Sequence, residues 1–526
     1  MRLAVPRRSS WPLVVVLFSL IAPTAWADVR LPAVISDHMV LQQDAAAPLW
    51  GWAENGEEVT ITIAGQSKAA KAGADGKWLV KLDKLAIGGP HELVVKGKNT
   101  LKVADVLIGE VWLGSGQSNM AMTVARSKDF EAEQADANLP SIRMFRESSG
   151  PATEPQESGS GKWEVCSAES VGNFSATAFF FGRELHKTLK VPVGLINSSV
   201  GGTPIEAWTS LPAQKDLAEL QPLFARWDND SATFDPDKAK AQFEKQFAEW
   251  RAVAKKARDE GKTPSRPPQS PVNPRKNTHH PAVLFNGKIA PLVPYAIRGA
   301  IWYQGESNAN TSRAGSSAEN YGLQLRTLIA DWRGRWGQGD FPFAWVQLPL
   351  FHKAQAEPVE ETGWTTVREQ MLKTLKVPNT GMAITLDLGE ANDIHPKDKQ
   401  DVGKRLAMWA LAKVYNQKNI VASGPLSDGY EIDGEEVVLS FRYATGLKAN
   451  GEELKGFAIA GADQKWLTAK ARIDGDQVIV WHPDLKQPKA VRYAWADNPD
   501  ANLVNGAGLP ASPFRTDQAA GTRSPR

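Results

Sequence analysis

The sequence predicts an α/β protein: a parallel sheet covered on both faces by helices, with a small all-β region before it and another after it. Three observations carry this reading. From about residue 105 to 424, near-continuous apolar runs alternate with amphipathic patterns, as strands buried on both faces require. Residues 28–104 and 425–516 instead hold short alternating runs broken by Gly, Asn, Asp and Pro, which mark two β domains, the first with the spacing of a small β-sandwich. A chain of 526 residues has room for about two to four such units.

Taken in order, the N-terminus reads as a processing signal. Arg2, Arg7 and Arg8 precede the apolar run "WPLVVVLFSLIA" (11–22), and "AWA" (25–27) offers a small-residue cleavage site. The run is shorter than the roughly 20 residues a bilayer span needs. The expectation is a leader over 1–27, a mature start at Asp28, no membrane attachment after cleavage, and export to the periplasm or the medium.

The first β region follows, with "APLWGWA", "EEVTITIAG", "GKWLVKL" and "HELVVKG" as strands. In the central region the strands are "DVLIGEVWLGSG", "VPVGLINSSVGG", "AIRGAIWYQGESN", "FPFAWVQLP" and "GMAITLDLG". The helices between them are "NFSATAFFFGRELHKTL", "ENYGLQLRTLIADWRGRW", "TTVREQMLKTL" and "PKDKQDVGKRLAMWALAKVY". An insertion over 211–280 interrupts them. Asp235-Pro236 starts a helix that should run to about Gly261, with Phe243, Phe247, Trp250 and Ala254 on one face. A Pro-rich limb follows it. The second β region closes the chain, and residues 517–526 should be disordered.

Composition excludes several classes. Net charge is +2 with 23% charged residues, so there is no basic footprint for nucleic acid. Cys166 is the one cysteine, which rules out an intrachain disulfide and thiolate metal clusters. His279 and His280 are adjacent, but no further ligand pattern accompanies them, so no metal is expected.

Four strand ends carry the chemistry. They are Gly116-Gln117-Ser118-Asn119; Gly201-Gly202; Gln304-Gly305-Glu306 with Asn308; and Asp393 with His395. In a parallel sheet with helical crossovers all carboxyl ends lie on one edge, where ligands bind. Acyl transfer needs a hydroxyl nucleophile, an imidazole, a carboxylate to orient it, and N–H donors for the oxyanion. Ser118, His395, and Asp393 or Glu306 fit the first three roles. The backbone of Ser118 and Gly202, with the Asn308 amide and Gln304 as a second side-chain candidate, fit the fourth. Pro396 should keep His395 out of helical geometry and start the next helix.

"GSGQSNM", "NFSATAFFFGRELHK", "PVGLINSSVGGTPIEAW", "FNGKIAPL", "RGAIWYQGESNA" and "DIHPKDKQDVGKRLA" resemble, in the same order, the sialate O-acetylesterase family. That resemblance covers nearly all of the expected mature chain. It implies an SGNH hydrolase on a flavodoxin-like sheet, a serine esterase that releases acetate from O-acetylated glycans and uses no cofactor. "GQSN" is not the G-x-S-x-G elbow of α/β-hydrolases. Many SGNH enzymes hold their triad Asp three residues before the His; Asn392 stands there, so Asp393 and Glu306 both remain candidates. Gln117, Trp208 and Arg368 are candidate substrate contacts. Arg275 or Arg368 would suit a sialate carboxylate, and Trp208 or Trp364 a neutral polysaccharide. The competing reading is a non-catalytic carbohydrate-binding protein, which 19 Trp would permit but which leaves the four strand ends unexplained.

Overall fold

The computed structural model describes residues 28–309, 318–355, 357 and 361–517. The expected leader, and all of the expected tail but Asp517, lie outside them. Asp517 itself pairs with Arg492, Nη2 to Oδ2 at 2.8 Å.

The centre is a mixed sheet whose main path runs Thr380–Ala383, Phe343–Val346, Gly299–Tyr303, Thr100–Gly116, Val193–Ser199, Ile142–Glu147, Gly161–Val165. All pairings along it are parallel except the last, where Gly161–Val165 runs antiparallel to Ile142–Glu147. With those two strands set aside, the order is the 2-1-3-4-5 of one doubly wound class, Thr100–Gly116 being strand 1. The connections that follow the adjacent strands 1 and 3 lie on opposite faces of the sheet, through helices Ala176–Leu189 and Tyr321–Trp336, and such a switch opens a crevice at the carboxyl ends of the two strands.

Alternation along the strands builds two cores. Trp112, Leu195, Ile301, Ala344, Val346 and Ala383 face the helices Ala176–Leu189 and Lys399–Lys413. Their neighbours Leu113, Ile196, Trp302, Phe343, Trp345 and Met382 face Tyr321–Trp336 and Gly363–Thr374. Adjacent residues on a strand point to opposite faces, so a run apolar at every position is what a doubly covered sheet demands.

Register sets the level of the strand ends. Gly116 lies opposite Ser199 on one side and Tyr303 on the other. Three of the four chemistry-bearing segments therefore leave the sheet at one height.

The first β region is joined to this sheet through one continuous strand. Thr100–Gly116 spans 17 residues; its first part pairs antiparallel with Gly88–Lys96, and its middle parallel with Val40–Gln42. The border expected at residue 104 thus falls inside a strand. Tyr295 Oη donates to Val40 O at 2.6 Å and Trp163 Nε1 to Val34 O at 2.8 Å, tying the two parts further. In the insertion, the long helix is Pro236–Asp259, and Asp235 Oδ1 accepts from the N–H groups of Asp237 and Lys238. Phe243, Phe247 and Trp250 stack along it as their spacing predicts.

The last β region holds two four-stranded antiparallel sheets. It docks on the helix Gly363–Thr374 through Arg368, which is fully buried. The guanidinium donates to the carbonyls of Leu348 (2.8 Å), Pro349 (2.6 Å), Ala496 (2.7 Å) and Asp497 (3.0 Å). Arg368 is therefore a clamp between two parts of the chain, and its expected place at a substrate carboxylate is corrected. Nearby, Arg515 pairs with Glu369 at 3.0 Å.

Arg368→Met keeps the apolar stem and strips the donors from four carbonyls. Each buried polar group left unmatched costs about 1–3 kcal/mol. The melting temperature should drop by about 5 °C or more, with KM for a small ester unchanged. A raised KM at an unchanged melting temperature would put Arg368 at the substrate after all.

Candidate active site

Strand 1 ends at Gly116 because nothing larger fits. Its φ is +138°, and a Cβ there would lie 2.2 Å from the carbonyl oxygen of Tyr303. That close approach lets Gln117 N donate to Tyr303 O at 2.9 Å. The chain then turns directly into the one-turn helix Ser118–Ala121, which leaves Ser118 half-buried at the head of the crevice.

The glycine segment comes alongside. A Cβ on Gly201 would sit 3.4 Å from Cβ of Ser118, so the backbone passes against the serine. Gly202 is exposed with φ +73°. Within the described residues, no hydrogen bond uses the backbone N–H of Ser118 or of Gly202. Both donors remain open to an anionic oxygen.

Asn119 gathers the remaining segments. Its Nδ2 donates to Glu306 Oε1 at 2.5 Å and to the carbonyl of Ile394 at 3.0 Å. Its Oδ1 accepts from Lys399 Nζ at 2.7 Å. Ser118 and His395 are each one residue from the Asn119–Ile394 bond, so segments nearly three hundred residues apart in the chain meet there.

His395 lies on the loop edge, partly exposed. Its Nδ1 is 3.3 Å from Asp393 Oδ1, and the same oxygen accepts from the His395 backbone N–H at 2.9 Å. That second bond makes Asp393 an Asx turn, which folds the two side chains together. Burial lowers the imidazole below its ordinary value, partly opposed by the Asp393 charge. Asp393 is held below the usual carboxylate range because its bonds and charge contacts with His395 and Lys397 outweigh its partial burial. Pro396 does not start the next helix as expected. The helix begins at Lys399, with Asp398 Oδ1 accepting from Asp401 N at 3.0 Å. A carboxylate cap satisfies the open N–H groups, which a proline cannot do.

Glu306 is buried beneath the serine turn, against Asn119. Burial raises its carboxyl, opposed by the bond from Asn119. Of the two candidate acids, Asp393 is beside His395 and Glu306 is beside Asn119.

Several expected contacts turn out to be scaffolding. Gln304 Nε2 donates to Thr203 O (3.2 Å) and Asn308 Oδ1 (2.7 Å), while its Oε1 accepts from Tyr321 Oη. Both amide hydrogens are spent, so its expected oxyanion role is corrected. Asn308 is fully buried; Oδ1 also accepts from Ile205 N, and Nδ2 donates to Glu206 Oε2 at 3.2 Å. Gln117 is buried too, its Oε1 accepting from Ser307 N at 3.2 Å. Its Oε1 thereby braces the third segment. Trp208 is fully buried, donating to Thr203 Oγ1 at 3.0 Å and packing edge-on against Trp302. Trp364 is buried with Nε1 on Pro349 O. Neither indole presents a face to a sugar. Arg275 is exposed on the insertion.

Sequence reasoning gave no role to Asn119, Lys399, Glu206 or Thr203. The signals were slight: a second polar residue behind the serine, and a lysine four residues after the histidine.

The chain is similar to known proteins over nearly its whole length. The profile described as carbohydrate esterase, sialic acid-specific acetylesterase matches residues 108–226 and 284–412. Sialate O-acetylesterase of Rattus norvegicus is 33% identical over 92% of this chain and 94% of its own. That of Homo sapiens is 32% identical over 95% of this chain and 96% of its own. A solved carbohydrate acetylesterase from Xanthomonas citri superposes with a TM-score of 0.77 at 35% identity, covering 93% of this chain and all of the other. With relatives this similar over nearly its whole length, and a serine, a histidine and two carboxylates gathered around Asn119 at the strand ends, the chain belongs to the sialate O-acetylesterase family.

Proposed function

We propose that this carbohydrate O-acetylesterase works as an SGNH-type serine hydrolase with Ser118, His395 and Asp393 as its triad. The observation that carries this reading is the meeting of the serine turn, the glycine segment and the histidine loop around Asn119. The Ser118 oxygen attacks the acetyl carbonyl while His395 Nε2 accepts the hydroxyl proton. The backbone N–H groups of Ser118 and Gly202 hold the oxyanion, while the buried Asn308 amide, which donates to Glu206 Oε2, holds the third segment against the glycine segment in place of its expected oxyanion role. Collapse expels the sugar oxygen, which takes the proton from His395, and leaves acetyl-Ser118. Water, deprotonated by His395, then releases acetate. Asp393 holds the imidazole through Nδ1.

The substrate class is an acetylated glycan, a sialoglycan or a plant polysaccharide such as xylan. An acetyl group offers few contacts, so selection falls to segments outside the triad. The insertion 211–280 is the proposed selector. Its aromatic ladder is half-exposed, and its Pro-rich limb returns to accept a hydrogen bond from Trp250 at Ser265 O. Among the described residues no helix is long and apolar enough to cross a membrane. Export by cleavage after residue 27 remains part of the proposal.

Acetate release from acetylated sialoglycan, xylan and xyloglucan tests the function, and Ser118→Ala should abolish it without unfolding the protein. Near-normal turnover in that variant would remove the serine mechanism. The pH profile tests the base. Neutral imidazole is the active form, so kcat/KM should fall as pH drops through a value below 6.5. Asp393→Asn removes the charge that favours the imidazolium, so this acidic limb should move lower still. Turnover should fall about 10²-fold or more. A greater loss in Glu306→Gln with a mild Asp393→Asn would transfer the triad role to Glu306. Replacing 262–278 by a short linker should change polysaccharide activity and spare a small acetyl ester; equal loss on both would give the limb a structural role.

A further inference from the structure

Lys399 is fully buried, and its position is unfavourable on two counts. A buried ammonium loses its hydration. As the first residue of the helix Lys399–Lys413, it also stands at the positive end of the helix dipole. Burial draws its ionisation down to about 7, opposed by the nearby charges of Glu306, Asp393, Glu390 and Asp398. Such a group persists where specific partners hold it. Lys399 Nζ donates to Asn119 Oδ1 at 2.7 Å and to the Pro396 carbonyl at 2.6 Å, and sits 5.3 Å from the centre of the Tyr303 ring.

These contacts define a chain of polarity. The Glu306 carboxylate and the Ile394 carbonyl can only accept, so they face the amide nitrogen of Asn119. The Lys399 ammonium can only donate, so it faces the amide oxygen. One orientation of the carboxamide satisfies all of them. Lys399 also grips the histidine loop directly, at Pro396, one residue beyond His395. The loop is thus held on both sides of the histidine: Ile394 O by Asn119, Pro396 O by Lys399.

We propose that Lys399 is a positioning residue: by orienting Asn119 and holding Pro396 it keeps the serine turn and the histidine loop in reacting register. It touches neither the acetyl group nor the reacting atoms. The inference rests on the serine mechanism above and adds to it a group that mechanism does not use. Glu306 acts at the opposite end of the same amide, so the two charges form a pair bridged by Asn119.

The test compares Lys399→Met, which preserves length without the charge, with Glu306→Gln and the double variant. The readouts are melting temperature, kcat and KM on 4-nitrophenyl acetate, and the rate at which a fluorophosphonate labels Ser118. Lys399→Met should lower kcat and the labelling rate about 10²-fold, the scale of a misplacement near 1 Å, with KM little changed. The double variant should be no slower than the worse single variant, because both changes release one amide. Wild-type kcat in Lys399→Met, or losses that multiply in the double variant, would overturn the proposal. Should Lys399→Met not fold, Asn119→Ala reads the same tie from its other end, and an unchanged kcat there would overturn it equally. The underlying mechanism fails in a different way: unlabelled wild-type protein, or a turning-over Ser118→Ala, removes the serine itself. Labelled wild type with normal Lys399→Met kinetics removes only the role of Lys399.

Discussion

Parallel pairing in register is the constraint on which this molecule depends. Gly116 stands level with Ser199 and Tyr303, and hydrogen bonding along three strands prevents any of them from sliding alone. A one-residue slip would exchange the two faces of a strand, and both faces here are packed. The ends of the strands are thereby placed as accurately as the core. Gly116 adds the local condition: with no side chain, it lets two backbones touch and turns the chain into the serine helix. A crevice at the switch point follows from connectivity, and the nucleophile follows from where the central strand stops.

Below that crevice the structure keeps charge in a place that burial opposes. Glu306 and Lys399 are both enclosed, and the Asn119 carboxamide lies between them. An amide is suited to this position because it has an accepting end and a donating end, each matched to one charge. A buried ionic arrangement of this kind adds less to stability than to definition of a single geometry. Definition is what a site assembled from segments across the chain requires. The second network, through Gln304, Asn308, Thr203 and Glu206, does the same for the glycine segment with neutral groups and one carboxylate.

The flanking β regions are bound into the same framework by ordinary means. A strand shared between two sheets needs no linker, and Thr100–Gly116 passes from one to the other within a single extended conformation. The last region is held by Arg368, whose planar donors reach carbonyls on both sides of the junction. Long polar side chains that look available for ligands are often used this way, since loop carbonyls enclosed between packed layers need donors.

The sequence by itself determined the α/β class, the doubly covered sheet, the helix Pro236–Asp259 and the four segments that carry chemistry. Each of these rests on local periodicity or residue type: apolar runs, a proline after an aspartate, glycine beside serine. It also showed Asp393 as the nearest carboxylate to His395, because two residues on one turn need no tertiary information. What only the tertiary structure decided was which polar groups face the crevice and which face each other. Gln304, Trp208 and Arg368 have the chemistry of ligand contacts, yet partners from distant segments close them off. Asn119 and Lys399 lie 280 residues apart. Nothing in the local pattern of either distinguishes a solvated side chain from half of a buried pair. The border at residue 104 was lost for the same reason in reverse: a change of texture along the chain was visible, but hydrogen bonding to two sheets is a property of neighbours, and neighbours are set by the fold.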